Sequence, residues 1–188
     1  VGCQASSLMV NTVILNLIYQ STDISYAGRG PGVEITRIYN ADDPQDRPFG
    51  HSWTFNHNVT LTENSNGSID ILRETGTSHR FTSAGGSKYN PPSGVHDTLS
   101  KNEDGTYSLK LKGSKLTQNF NSSGKLTSIT DRNGNSITLT YDSSGNLTKI
   151  TDAVERITNL SYGSNGKISS ITDPLSRTVS YSYDSSGN

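Results

Sequence analysis

The chain has 188 residues, 30% of them hydrophobic, with 18 glycines, one cysteine and a formal net charge of −1 from 16 basic and 17 acidic residues. So low an apolar content argues against a thick core and for thin sheets. The charges are scattered and form no cationic stripe for a phosphate backbone, so no nucleic acid partner is expected, and no apolar run reaches the ~18 residues of a membrane span.

Apolar residues nowhere recur at helical spacing over a helical length, and the predicted fold is all-β, built of antiparallel hairpins and a meander. At the start of the chain, Val1-Gly2-Cys3 has two readings. One is the remnant of a lipoprotein processing site with Cys3 acylated; the other is an unpaired thiol in a tail covering residues 1–9. The run from Leu8 to Tyr19, broken by Asn11, Thr12 and Asn16, is expected to be a first strand able to pair with a neighbouring sheet. Asp42, Asp43 and Asp46 cluster carboxylates that could bind calcium, but the glutamate and spacing of an EF-hand are missing, so a solvated turn is the expectation. His51, His57, His79 and His96 lie in no zinc spacing, although His51 and His57 would share a face in alternating register. With no G-x-S-x-G elbow either, no catalytic residue, metal site or cofactor is expected.

Further along, Asn66-Gly67 predicts a hairpin between Val59–Leu61 and Ile69–Ile71, because the glycine supplies the positive φ of a tight turn. Residues 83–94, with Gly85-Gly86 and Pro91-Pro92, read as an irregular loop. Asp104-Gly105 then introduces a period-two strand, Tyr107 to Leu111.

From residue 120 the sequence repeats every 21 positions. Gly124, Gly145, Gly166 and Gly187 fall on the period, as do Asp131, Asp152 and Asp173, and Tyr141, Tyr162 and Tyr183. The pairs Leu126/Ile129, Leu147/Ile150 and Ile168/Ile171 follow the same spacing. Such self-similarity means an array whose units bury their apolar faces only against one another. Each unit reads as strand, turn, strand, turn. The second strand alternates strictly, as in Ile137, Leu139 and Tyr141, but Leu126 and Ile129 stand three apart and point to opposite faces unless a bulge intervenes. Each aspartate opens a turn, where its carboxylate accepts backbone hydrogen bonds, and the tyrosines suit stacking between units or, alternatively, a sugar-binding face.

The unit Tyr141-Asp142-Ser143-Ser144-Gly145-Asn146-Leu147-Thr148-Lys149-Ile150-Thr151-Asp152 resembles the YD repeat of the Rhs and teneurin superfamily. Upstream, Val10-Asn11, Thr22-Asp23 with Gly28-Arg29-Gly30-Pro31, Arg37-Ile38-Tyr39-Asn40 and Phe49-Gly50-His51-Ser52-Trp53 are similar to the domain that precedes such repeats in bacterial Rhs proteins. Leu15 and Ser52 depart from that pattern, each standing where the family usually has glycine. The resemblance divides the chain into an N-terminal β domain over residues 10–119 and YD repeats over 120–188, the last incomplete. It implies a secreted or surface-exposed, non-enzymatic scaffold, which in full-length relatives winds into a shell around a C-terminal toxin.

The partners expected are therefore other parts of the same polypeptide, including an enclosed toxin domain. Ending just after the turn at Gly187, the chain is expected to continue in its natural context. Two alternatives stand beside the scaffold: a subunit that pairs strands with identical copies to form a fibre or surface layer, and an adhesin that binds glycans. Five Asn-x-Ser/Thr sequons are no more than this composition produces by chance.

Overall fold

A computed structural model describes residues 6–11, 16–185 and 187. Among them are nineteen strands and no helix. Cys3 lies outside the described residues, as does the segment 12–15 of the first apolar run. The N-terminal part begins with β1 (Ser6–Asn11), β2 (Asn16–Tyr26) and β3 (Val33–Asn40). The short β4 (Asp46–Arg47), β5 (Gly50–His51) and β6 (Trp53–Phe55) follow. β1, β2, β3 and β6 form one antiparallel sheet in that order, while β4 and β5 pair by themselves. The described parts of the run from Leu8 to Tyr19 are thus two strands paired antiparallel at a sheet edge rather than the single strand expected, with Leu8 opposite Tyr19.

The remaining strands form a single thirteen-stranded antiparallel meander in which each pairs with the next. Its first seven are β7 (Thr60–Glu63), β8 (Ile69–Leu72), β9 (Ser78–Ser83), β10 (Lys88–Asn90), β11 (Thr98–Lys101), β12 (Tyr107–Lys110) and β13 (Thr117–Phe120). The repeats supply β14 (Leu126–Thr130), β15 (Ser136–Tyr141), β16 (Leu147–Thr151), β17 (Ile157–Tyr162), β18 (Ile168–Thr172) and β19 (Thr178–Ser180). The expected hairpin forms, with Leu61 opposite Ile71. One expectation needs correction: the segment 83–94 is not wholly loop, because Lys88–Asn90 pairs with both β9 and β11. Polar, half-exposed edges gave that strand no apolar alternation to betray it.

This meander is not flat. Strands spaced ~4.8 Å apart would put β7 about 30 Å from β13. Yet the Leu61 amide donates to the Gly124 carbonyl at 2.9 Å, and Thr60 bridges Lys125. The sheet therefore curls until its first strand meets the turn between β13 and β14. Inside the curl, Leu61, Ile69, Ile71, Phe81, Leu99, Leu109, Phe120 and the buried repeat residues form one core with Ile24, Val33, Ile35, Phe49 and Phe55 of the N-terminal part. Burial of each such side chain contributes ~1.5–3 kcal/mol relative to exposure.

The spacing puzzle of the repeats resolves as a bulge. Register shifts where Phe120 meets Leu126, Tyr141 meets Leu147 and Tyr162 meets Ile168. One extra residue in each first strand returns the chain to phase, so Leu126 and Ile129, Leu147 and Ile150, and Ile168 and Ile171 are all buried on the same face.

Candidate functional site

The repeat residues singled out by the sequence act in turns and bulges. Asp131, Asp152 and Asp173 each donate the amide to the carbonyl four residues on and present Oδ1 to the amides two and four residues on. The second carboxylate oxygen takes Asn135 Nδ2 in the first turn, and the Arg156 and Arg177 guanidinium groups in the next two. Burial is the largest single influence on Asp152 and Asp173 and raises both. The amides and guanidinium groups together outweigh it, and both carboxyls sit below the usual range. For the less buried Asp131, the Asn135 side chain is the largest cause and lowers it directly.

Gly124, Gly145, Gly166 and Gly187 occupy the fourth position of the alternate turns with left-handed φ between 74° and 84°. These turns close like the aspartate turns, the glycine amide bonding three residues back. At Gly124 close approach adds a second constraint. A Cβ there would lie 1.8 Å from the Leu61 carbonyl oxygen, whereas one at Gly166 would meet open space.

Tyr141, Tyr162 and Tyr183 each donate their hydroxyl to the carbonyl fifteen residues back: Leu126, Leu147 and Ile168. Those carbonyls sit at the bulges, where ladder pairing is interrupted. The bulged residues complete the device, since Thr127, Thr148 and Ser169 hydroxyls donate to the Asn119, Thr140 and Ser161 carbonyls. Burial pushes the Tyr162 and Tyr183 phenols up to about 12, and Tyr141 is raised too.

The N-terminal sheet is fastened to the repeats by side chains far apart in sequence. Buried Asp23 takes a bidentate pair from Arg37 and the Tyr181 hydroxyl at 2.7 Å. The Arg37 guanidinium lies 5.3 Å from the centroids of Trp53 and Tyr181. Tyr26 bonds Thr158, Arg156 donates to the Ala27 carbonyl, and Lys167 pairs with Asp46. Asp43, expected in a solvated turn, is instead buried and held by Arg47, because the loop folds back over its own strand pair. His51 and His57 do not act together: His51 is exposed, and His57 is buried.

His57 Nε2 donates to the Glu34 carbonyl at 2.9 Å, while its Nδ1 is buried without a partner. Burial lowers its pKa to about 4. Beside it is a cavity of about 110 Å³, bordered by Lys125, Tyr141 and Tyr162 from the repeats. Among the described residues, no three His, Cys, Asp or Glu side chains gather as metal ligands.

A family model described as RHS Repeat matches residues 120–156 and 162–188, and one described as Domain of unknown function (DUF6531) matches residues 9–81. Residues 120–188 thus carry Rhs repeats. This Rhs-repeat chain is similar to the tRNA nuclease WapA of Bacillus subtilis (strain 168), at 35% identity over 116 residues. It is also similar to the tRNA3(Ser)-specific nuclease WapA of Bacillus spizizenii, at 36% identity over 116 residues. In both cases the match covers 62% of this chain and 5% of the relative.

Sequence reading named Asp23, Arg37 and His57 but not their place at a junction with the repeats, nor the part Tyr181 plays there, because partners lie up to 158 positions away. It also missed a gathering of Lys110, Lys112, Lys115 and Arg132 around one cleft. The spacing Lys-x-Lys-x-x-Lys was a signal for that gathering, but only the meander brings Arg132 alongside.

Proposed function

We propose that this chain is a non-enzymatic structural module of a secreted or surface-exposed Rhs-repeat protein, forming the opening part of a β shell. The observation that carries this reading is the use made of the periodic residues: each repeat's aspartate, glycine and tyrosine is spent on holding a turn or a bulge. Such a unit can be added indefinitely to an existing edge, with each new strand completed by its neighbour. The N-terminal sheet, packed within the curl through Asp23, Arg37 and Tyr181, closes the start of the shell. A scaffold of this kind agrees with relatives named as nucleases of which the matched part is only 5% of the length. The test is incubation of the purified chain with tRNA. Intact tRNA together with a protease-resistant, cooperatively unfolding monomer is the expected result, and cleavage that survives further purification would refute it.

A second reading has its own observation. Leu8, Met9 and Val10 of edge strand β1 are 63%, 48% and 55% exposed, which suits strand pairing between copies in a fibre or surface layer. Analytical ultracentrifugation decides: concentration-dependent assembly abolished by Met9→Lys supports the fibre, and a dispersed monomer at all concentrations removes it.

A further inference from the structure

Along one rim of the long sheet, the loop before β11, the turn between β12 and β13, and the turn after β14 enclose an open cleft of about 430 Å³. Lys110, Lys112, Lys115 and Arg132 line it over a floor that includes Leu111 and Leu116. Four cations at one place stand out in a chain whose net charge is −1. Among the described residues none of the four is engaged in an ion pair.

The acidic groups at the cleft are already committed. Asp131 accepts from the Asn133 and Asn135 amides and from Asn135 Nδ2. Asp97 accepts from the Lys112 amide and faces Arg73. Both carboxylates keep their negative charge, Asp97 sharing its own with Arg73, and the four cations outnumber them. The exposed imidazole of His96 completes the polar wall.

The turn that carries two of the cations is held firmly. Leu111 donates to the Leu116 carbonyl at 2.8 Å and Lys115 to the Leu111 carbonyl at 3.0 Å. Lys115 adopts φ of 62°, a left-handed setting that most turns of this chain give to glycine.

We propose that this cleft binds a phosphorylated ligand. The four cationic side chains meet the phosphate oxygens, with Arg132 able to bind two oxygens at once, and the leucine floor takes the carbon body. A cleft of this size matches small-molecule sites of ~300–1,000 Å³. This goes beyond the scaffold role and does not depend on it. The ligand is either a free phosphate ester or one unit of a phosphate-bearing polymer, and the two sources share the same chemistry.

Titration calorimetry of the whole chain with sodium tripolyphosphate at low ionic strength tests the proposal, with long-chain polyphosphate as the second arm. Saturable binding that weakens with added salt is expected. Lys112→Ala with Arg132→Ala weakens it roughly tenfold or more, the loss of about 1.4 kcal/mol. Lys149→Ala, outside the cleft, leaves it unchanged. Lys115→Gly separates binding from folding, since it suits the left-handed backbone and holds or raises stability while affinity falls. Affinity independent of polymer length identifies a free ester as the ligand; affinity rising with length identifies the polymer. Absence of saturable binding, or equal binding by wild type and the Lys112/Arg132 double variant, overturns the site.

Discussion

Replacing Gly124 and Gly166 separately by alanine isolates the contact that curls the sheet. Both residues have left-handed φ, 79° and 74°, so both substitutions carry the same backbone cost of ~1–2 kcal/mol. Both also remove unfolded-chain freedom to the same extent, which cancels in the comparison. They differ in what the new methyl group meets. At position 166 nothing lies within 4 Å; at position 124 the Leu61 carbonyl oxygen would lie at 1.8 Å. That distance is far inside contact, and the atom is backbone, so β7 must move away. The Leu61 amide then loses its bond to the Gly124 carbonyl, leaving a donor stranded beside buried Leu61 at ~1–3 kcal/mol. Gly124→Ala is therefore expected to cost about 2–5 kcal/mol and Gly166→Ala about 1–2. Urea unfolding followed by tryptophan fluorescence of Trp53 measures both. Equal losses for the two variants would refute the view that β7 is docked on the turn at 121–124.

His57 makes stability depend on pH. Its folded-state value of about 4 lies below the unfolded 6.5, so stability is complete above pH 6.5 and is lost as pH falls toward 4. Between pH 7 and pH 4.5 the loss is about 2.5 kcal/mol, and His57→Asn flattens that segment of the curve; an unchanged curve in the variant sinks the assignment. Tyr141→Phe, Tyr162→Phe and Tyr183→Phe each leave a bulge carbonyl without its donor, at about 1 kcal/mol apiece. Equivalent tyrosines sit two strands, ~9–10 Å, apart, so the three losses should add; a triple variant no worse than a single one argues against independent clamps. Asp23→Ala strands the Arg37 guanidinium beside Tyr181, and about 3–5 kcal/mol is lost. Limited proteolysis should then cut between the N-terminal sheet and the repeats, and wild-type resistance would dismiss that junction.

The sequence by itself determined the all-β class, the antiparallel order of the repeats and the residues that form their turns. Those features are local: a glycine with positive φ, an aspartate that accepts its own turn's amides and a period-two strand all act within a few positions of themselves. The two-faced alternation of Ile137, Leu139 and Tyr141 is equally local. Tertiary structure alone decided whether Leu126 and Ile129 share a face, because a bulge is chosen by the register of the facing strand rather than by the bulged segment. It also decided the curl, since nothing near Leu61 or Gly124 encodes the other. The same holds for burial of His57 and for the cation cleft, where Lys112 and Arg132 meet only because the meander folds β12, β13 and β14 side by side. Periodic short-range pairing can be read along a chain, whereas the bending of a sheet is the sum of many small twists.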